Sequence, residues 1–291
     1  MIRLAVRCRP DQADVVLAEM VQLAPGGVEE EAGPGWVEYA IYGGEGELPD
    51  LGAVEAAAGD DLVEIRSEQI PDDWADRWRD FHEPTVLGGG RVVIRPSWRE
   101  NPQRPKGRTA SRLDGPGRGA EEPSGLDIVI DPGQAFGTGA HPTTRMCVEL
   151  LLRLADDGRA DGPLADLGTG SAVLAILAAK LGWTPVTGVD HEVAALEAAA
   201  ENAAANGVSM GTRRVNLREE APPVADTMVA NLTAPLLREV AARLGEPPRF
   251  LVCSGLLERE AAGVEHAFAE AGLTVRERLT SGDWSALTLA R

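Results

Sequence analysis

Cysteine is scarce in this chain, positive charge is outweighed, and long apolar runs are missing. The 291 residues include three cysteines, Cys8, Cys147 and Cys253, far apart, with no CxxC pair and no His at metal-ligand spacing. That pattern excludes a disulfide framework and a local zinc site, and it fits a reducing cytosol. Lys and Arg number 28 against 46 Asp and Glu, a formal net charge of −18. Such a balance argues against a protein that coats nucleic-acid phosphates. It leaves room for a basic protein as partner. No apolar run approaches the ~18 residues that a membrane span needs. The start MIRLAVRCRP sets Arg3, Arg7, Arg9 and Pro10 among few apolar residues, so no signal peptide is expected. With 44% hydrophobic residues, the material for a packed core is ample.

Charge is unevenly spread. Residues 1–70 hold 15 acidic and 4 basic residues, a net of −11. A solubilising face accounts for this; so does a docking surface for a basic partner. The same segment reads as a β-α-β-β-α-β unit of the ferredoxin-like kind, with strands near Ile2–Cys8, Val28–Glu31, Trp36–Tyr42 and Leu62–Ser67 and helices near Asp11–Leu23 and Leu51–Ala58. Residues 71–98 read as a linker helix and strand. Pro71-Asp72-Asp73 starts the helix, and Trp74, Trp78 and Phe81 form one aromatic face, read as core packing. Residues 99–125 hold four prolines, five glycines and six basic residues with almost no large apolar ones, which reads as a flexible basic insertion.

From Leu126 to the end, strand and helix alternate, and a parallel sheet with helices on both faces is expected. The final two strands, Leu273–Leu279 and Trp284–Leu289, have only a short turn between them and must pair antiparallel. This region is taken as one domain, 126–291.

Three stretches carry chemistry. In LADLGTGSAVLAILAAKLGWTPVTGVD a strand ends at Asp166-Leu167, a turn containing Gly168 and Gly170 opens a helix, and a second strand ends in Asp190, 22 residues beyond Gly168. Glycines admit a ligand to the backbone, the helix N-terminus offers free N–H groups, and an acid at the second strand tip accepts bonds from ribose hydroxyls. The pattern says adenosine cofactor. S-adenosylmethionine is favoured over NAD because the third glycine of GxGxxG is replaced by Val173 and because the terminal strand is antiparallel. Next, Asn231 stands at the tip of a later strand, placed either to orient an amine or the cofactor's methionine part, or to cap the helix that follows. Last, DPGQAFGTGAHPTT, residues 131–144, packs three glycines, two prolines and Phe136 between a strand and a helix, with Thr143 or Thr144 expected as N-cap. His141 receives no catalytic role.

These blocks together resemble the PrmA-type ribosomal-protein methyltransferases, which act on large-subunit ribosomal protein L-eleven. The matching stretches are PDDWADRWRDFHEP, RVVIRPSW, DPGQAFGTGAHPTTRMCVELL, LADLGTGSAVLAI, GVDHEVAALEAAAENAAANGV, VANLTAPL, SGLLERE and SGDWSAL. The resemblance implies a class I S-adenosylmethionine-dependent methyltransferase fold, an α/β Rossmann-like seven-stranded sheet, behind a smaller α+β ferredoxin-like recognition domain. It implies methylation of lysine side-chain and N-terminal amino groups on a basic large-subunit protein in the cytoplasm, with no direct nucleic-acid or membrane partner. Carried over by motif, the cofactor contacts fall on Thr144, Gly168, Asp190 and Asn231, with Phe136, Gly137, Thr138 and Gly170 in the same pocket and Asn231 as the catalytic positioning group. No metal is implied. The family usually has Gly where Ala172 stands, and its loop at 99–125 is shorter. Other readings are a class I methyltransferase acting on lysine of a different protein, a non-catalytic adenosine- or ribosome-binding module, and a nucleotide-dependent oxidoreductase, which Val173 disfavours.

Overall fold

The computed structural model describes residues 2–13, 16–17, 20, 28–43, 48, 62–69, 82–103, 125–131 and 139–291. The expected helix at Leu51–Ala58, the Trp74–Phe81 stripe, most of the insertion at 99–125, and Phe136, Gly137 and Thr138 lie outside the described residues. The chain divides into two units, one formed by Met1–His82 with Gly133–Phe136 and one by Glu83–Pro132 with Gly137–Arg291.

In the first unit, β1 (Ile2–Cys8), β2 (Glu29–Gly33), β3 (Trp36–Gly43) and β4 (Leu62–Gln69) form one sheet in the order β2-β3-β1-β4. Every neighbouring pair is antiparallel. This is the strand order of a split β-α-β motif. Alternation along each strand explains its two faces. Leu4, Val6, Cys8, Val37, Tyr39 and Ile41 are buried together with Val16 and Met20. The opposite face carries Arg3, Arg7 and Glu38. Burial alone would raise the Glu38 carboxyl, but Arg3 at 2.7 Å and Arg7 at 2.8 Å outweigh it and hold it below its usual value. Arg7 also lies over the Trp36 ring, 3.9 Å from its centroid.

Among the described residues, the second unit contains two sheets. The smaller consists of β5 (Thr85–Leu87), β6 (Val92–Arg95) and β7 (Leu126–Val129), in that order. The expectation that the Leu126 strand begins the alternating parallel sheet is therefore corrected. It pairs parallel with β6, from Val92 opposite Leu126 to Arg95 opposite Val129. A bidentate bond from Arg95 to Asp127, 2.8 Å on each side, locks that pairing. Alternation marks a strand but carries no information about its partner, and the β5–β6 hairpin supplies an edge before the main sheet begins.

The main sheet has seven strands. They are β8 (Leu164–Leu167), β9 (Val186–Asp190), β10 (Gly211–Arg214), β11 (Thr227–Asn231), β12 (Phe250–Leu257), β13 (Thr274–Ser281) and β14 (Trp284–Ala290). Their order is β10-β9-β8-β11-β12-β14-β13. Strands β8 to β12 pair parallel, and β14 runs antiparallel between β12 and β13, as the short turn before it requires. The helices α1 (Pro142–Asp156), α2 (Val173–Leu181) and α3 (Val193–Ala205) pack into one buried layer, and α4 (Ala234–Ala242) and α5 (Glu258–Glu270) into another. α2 is apolar around most of its surface because it is buried on nearly all sides. Among the described residues no helix is long and apolar enough to cross a membrane.

A buried polar contact ties the end of α2 to the sheet. Trp183, just beyond α2, is buried, and its indole N–H donates to Thr227 Oγ1 on β11 at 3.1 Å. Thr227→Val should leave that N–H unpaired and lower unfolding free energy in urea by about 1–3 kcal/mol. Thr227→Ser should recover most of the loss. Equal midpoints for Val and Ser would show that the bond contributes nothing.

Candidate functional site

The strand order reverses between β8 and β11, the place where open α/β sheets leave a crevice beyond their carboxyl ends. Beyond β8 the chain turns through Gly168–Ser171. Gly168 N–H and Thr169 N–H both donate to Val189 O, at 2.8 and 2.9 Å, so the turn is folded back onto the end of β9. Gly168 has φ +70°, and a Cβ there would stand 2.4 Å from Leu232 Cδ2. Glycine is needed on both counts. Ala172, by contrast, is a non-glycine residue at φ 63° and fully buried. Left-handed backbone costs a residue with a side chain ~1–2 kcal/mol. The helix α2 begins immediately after it, at Val173, whose side chain is buried where a dinucleotide-binding turn would carry glycine.

Asp190 closes this turn from the neighbouring strand. Its Oδ2 accepts Gly170 N–H at 3.1 Å and its Oδ1 accepts Glu192 N–H at 3.2 Å. Oδ1 also stands 3.4 Å from the exposed His191 ring Nδ1; with that ring turned out to solvent, each carboxylate oxygen offers a further lone pair, so two hydroxyl donors can be taken. His191, Arg214, Asn216, Glu219 and Glu220 line an open cleft alongside.

A second carboxylate lies beneath. Asp166 is 2% exposed; its Oδ2 accepts Thr169 Oγ1–H at 2.8 Å and Ala175 N–H at 3.2 Å. Burial drives its pKa up to about 7, against the lowering effect of these two donors and with the help of the nearby Asp190 charge. It ties the turn to the first turn of α2, a role sequence reading did not assign.

On the other side of the crevice, Asn231 at the tip of β11 donates from Nδ2 to Thr144 Oγ1 at 3.2 Å, across 87 positions of sequence. Thr144 is buried in the first turn of α1. The capping alternative for Asn231 is set aside, since Thr233 occupies the N-cap of α4. The expected Thr143 or Thr144 cap is corrected too. His141 is the N-cap of α1: its Nδ1 accepts Thr143 N–H at 3.4 Å and stands 2.7 Å from Thr143 Oγ1. Pro142 at the first helical position moves the helix start two residues upstream. Burial, and then the Arg145 charge, depress the His141 pKa to about 4, so the ring is neutral near pH 7 with its Nδ1 lone pair free to cap. The ring stands edge-on to Trp284 at 4.9 Å between centroids.

Leu232 joins the two halves, its side chain against Gly168 and its backbone against Gly255. A Cβ on Gly255, at φ +85°, would meet Leu232 O at 2.5 Å. Leu232 N–H donates to Ser254 O at 3.0 Å. Sequence reading missed Gly255; its Ser-Gly pair at the end of an apolar strand was the available signal. Of the residues singled out beforehand, Gly168, Gly170 and Asp190 meet at one turn, and Thr144 and Asn231 meet across the crevice.

The chain is similar to known proteins. A family model described as ribosomal protein L11 methyltransferase (PrmA) matches residues 54–291. A ribosomal protein L11 methyltransferase of Heliobacterium modesticaldum is 36% identical over 76% of this chain and 64% of its own length. Those of Geobacter metallireducens and Shewanella halifaxensis are each 39% identical, over 74% and 77% of this chain and 65% and 70% of their own. The match thus spans just under two thirds of the first two relatives. A crystal structure of ribosomal protein L11 methylase from Lactobacillus delbrueckii subsp. bulgaricus superposes with a TM-score of 0.56 and 25% identity, covering 72% of this chain and 98% of that one. The fold is that of the class I methyltransferases.

Asp166 makes the site's stability depend on pH with a definite sign. Its folded pKa, about 7, stands above the ordinary 3.8, so the proton favours the folded state. That contribution is full below pH ~4 and is lost as pH rises through ~7. Asp166→Asn keeps an acceptor oxygen and cannot ionise. Relative to wild type, its melting temperature should therefore be higher at pH 8 than at pH 5. Parallel melting curves for the two proteins across that range would contradict the assignment.

Proposed function

We propose, from the premise that the chain belongs to the ribosomal protein L11 methyltransferase (PrmA) family, that it transfers methyl groups from S-adenosylmethionine to amino groups of a basic large-subunit ribosomal protein. Lysine side chains and an N-terminal α-amine are the acceptors. The observation that carries the reading is the meeting, at one sheet crevice, of the Asp190-closed glycine turn with the Asn231–Thr144 pair.

The residues fit the cofactor. Glycine at 168 opens the turn to a close ligand, Gly170 belongs to the same turn, and Asp190 has acceptor capacity for two ribose hydroxyls. When bound, S-adenosylmethionine supplies a methyl group on a positively charged sulfonium. Everything else asked of the chain is positioning. With Asn231 Nδ2 committed to Thr144, its Oδ1 is the acceptor group left for an amine N–H or the cofactor's ammonium. A lysine amine, with a pKa near ~10.4 in water, must be neutral to react, and desolvation on entering the crevice lowers that value. By the family resemblance alone, Phe136, Gly137 and Thr138, which lie outside the described residues, are further candidate cofactor contacts.

Residues 126–291 act as the methyltransferase domain; of the expected linker 71–98, β5 and β6 are joined to that domain through β7, and 99–125 is a basic insertion. Residues 1–70 recognise the protein substrate. The sheet face opposite the first unit's core carries Glu29, Glu31, Glu38, Glu64 and Glu68 against Arg3, Arg7 and Arg66, and residues 1–70 have a net charge of −11. An acidic surface speeds and orients encounter with a basic protein. The reaction takes place in the cytoplasm, where ribosomal proteins are made.

Tritiated-methyl transfer to ribosomal proteins from cells lacking this enzyme should label one basic large-subunit protein. Label elsewhere, or none, would overturn the reading. Calorimetry should show S-adenosylhomocysteine binding and no NAD binding, with Asp190→Ala weaker by ~1–3 kcal/mol. Raising salt should raise KM for the protein substrate and leave KM for the cofactor nearly constant.

A further inference from the structure

Two asparagines in the stretch ENAAANGV have no part in the reaction as described, yet both reach away from their own helix. Asn206 is the C-cap of α3, and its backbone N–H bonds back to Asn202 O and Ala203 O in the ordinary way. Its side chain does something else. Oδ1 accepts Val129 N–H at 2.9 Å, and Nδ2 donates to Val129 O at 2.6 Å. The amide thus pairs with both backbone groups of the last residue of β7, as a neighbouring strand would, on the outer edge of the three-stranded sheet. A second bond from Nδ2 goes to Asn202 O at 2.8 Å. Asn202 is 8% exposed and points the other way, its Nδ2 donating to Ser171 O of the glycine-rich turn at 3.0 Å. Lys180 Nζ, at the end of α2, donates to Asn206 O at 3.3 Å.

We propose that Asn202 and Asn206 are positioning residues that make α3 a brace, fixing the glycine-rich turn and the end of β7 as one body. The far side of β7 is already held. Ile130 N–H donates to Arg95 O at 2.9 Å, and Asp131 Oδ1 accepts Ser97 N–H at 2.6 Å. From there the chain leads on to α1, whose Thr144 holds Asn231. The brace therefore holds the glycine-rich turn, one wall of the crevice, to the end of β7. Amides that satisfy backbone groups on two elements, one buried (Asn202) and one half-buried (Asn206), tie those elements together. The catalytic consequence rests on the proposed function; the mechanical one does not.

Hydrogen exchange at the Val129 amide of the full, ligand-free chain tests the mechanical part. Asn206→Ala removes the acceptor and should speed that exchange at least tenfold. Asn202→Ala leaves both bonds to Val129 in place, and a brace predicts that it still speeds exchange there at least threefold. An unchanged Val129 rate in Asn202→Ala overturns the proposal. Asn206→Asp keeps the oxygen that accepts Val129 N–H but turns a carboxylate oxygen toward Val129 O and Asn202 O, so its melting temperature is measured beside its kinetics. For the catalytic part, Asn206→Asp should lower kcat at least tenfold while S-adenosylhomocysteine affinity stays within twofold and KM for the protein changes little. A purely structural role would lower the melting temperature and leave kcat per folded molecule unchanged, and that result also overturns it. If wild type neither binds S-adenosylhomocysteine nor turns over, the proposed function fails, and the exchange rates still decide the brace.

Discussion

The backbone hydrogen bonds between β8 and β11, in register from Leu164 opposite Thr227 to Leu167 opposite Ala230, set where every candidate group stands. Parallel pairing brings both strand tips to the same edge of the sheet. Chain order then sends β9 and β10 to one side of the pair and β12 to the other, so the connections diverge and leave a crevice between them. Leu232 follows directly from β11 and fills the space that a Cβ on Gly168 would take. Gly255 lets β12 approach Leu232 from the other side. Shift the register and the glycine turn, Asp190 and Asn231 no longer share one opening.

Two acids at this edge have different jobs because their surroundings differ. Asp166 is sealed beneath the turn, where loss of hydration works against its charge, and it serves as an internal tie to Thr169 and Ala175. Asp190 has backbone N–H donors on both oxygens at the rim of a cleft, an arrangement suited to a charged acceptor that faces a ligand. His141 completes the pattern from the opposite wall. Held neutral, it caps α1 with a lone pair, so the helix start carrying Thr144 keeps its cap throughout the neutral pH range.

Much of this was legible in the sequence because it is local. Glycines at 168 and 170 followed by an acid 22 residues after the first describe one strand-turn-helix-strand unit, and local patterns translate directly into local geometry. The alternation of elements announced a parallel sheet with an antiparallel end, counted one strand too many at Leu126, and took its seven-strand form from the family resemblance. What escaped reading depends on partners distant in sequence. The β7 strand looks like any other until β6 claims it. Thr143 and Thr144 have the right chemistry for a cap, yet Pro142 starts the helix early and gives the position to His141. Gly255 matters only because Leu232 lies against it, and Asn206 only because Val129 does. Asn231 was found from its place at a strand tip, and its choice of Thr144 over the following helix is a tertiary fact.

A crystal structure of the full chain with S-adenosylhomocysteine tests the central claim most directly. The account predicts the ribose hydroxyls within hydrogen-bonding distance of Asp190, the ligand backbone against the turn at Gly168–Gly170, and the amino-acid end within reach of Asn231 and Thr144. A ligand lodged elsewhere, or one whose ribose leaves both Asp190 oxygens untouched, would contradict it.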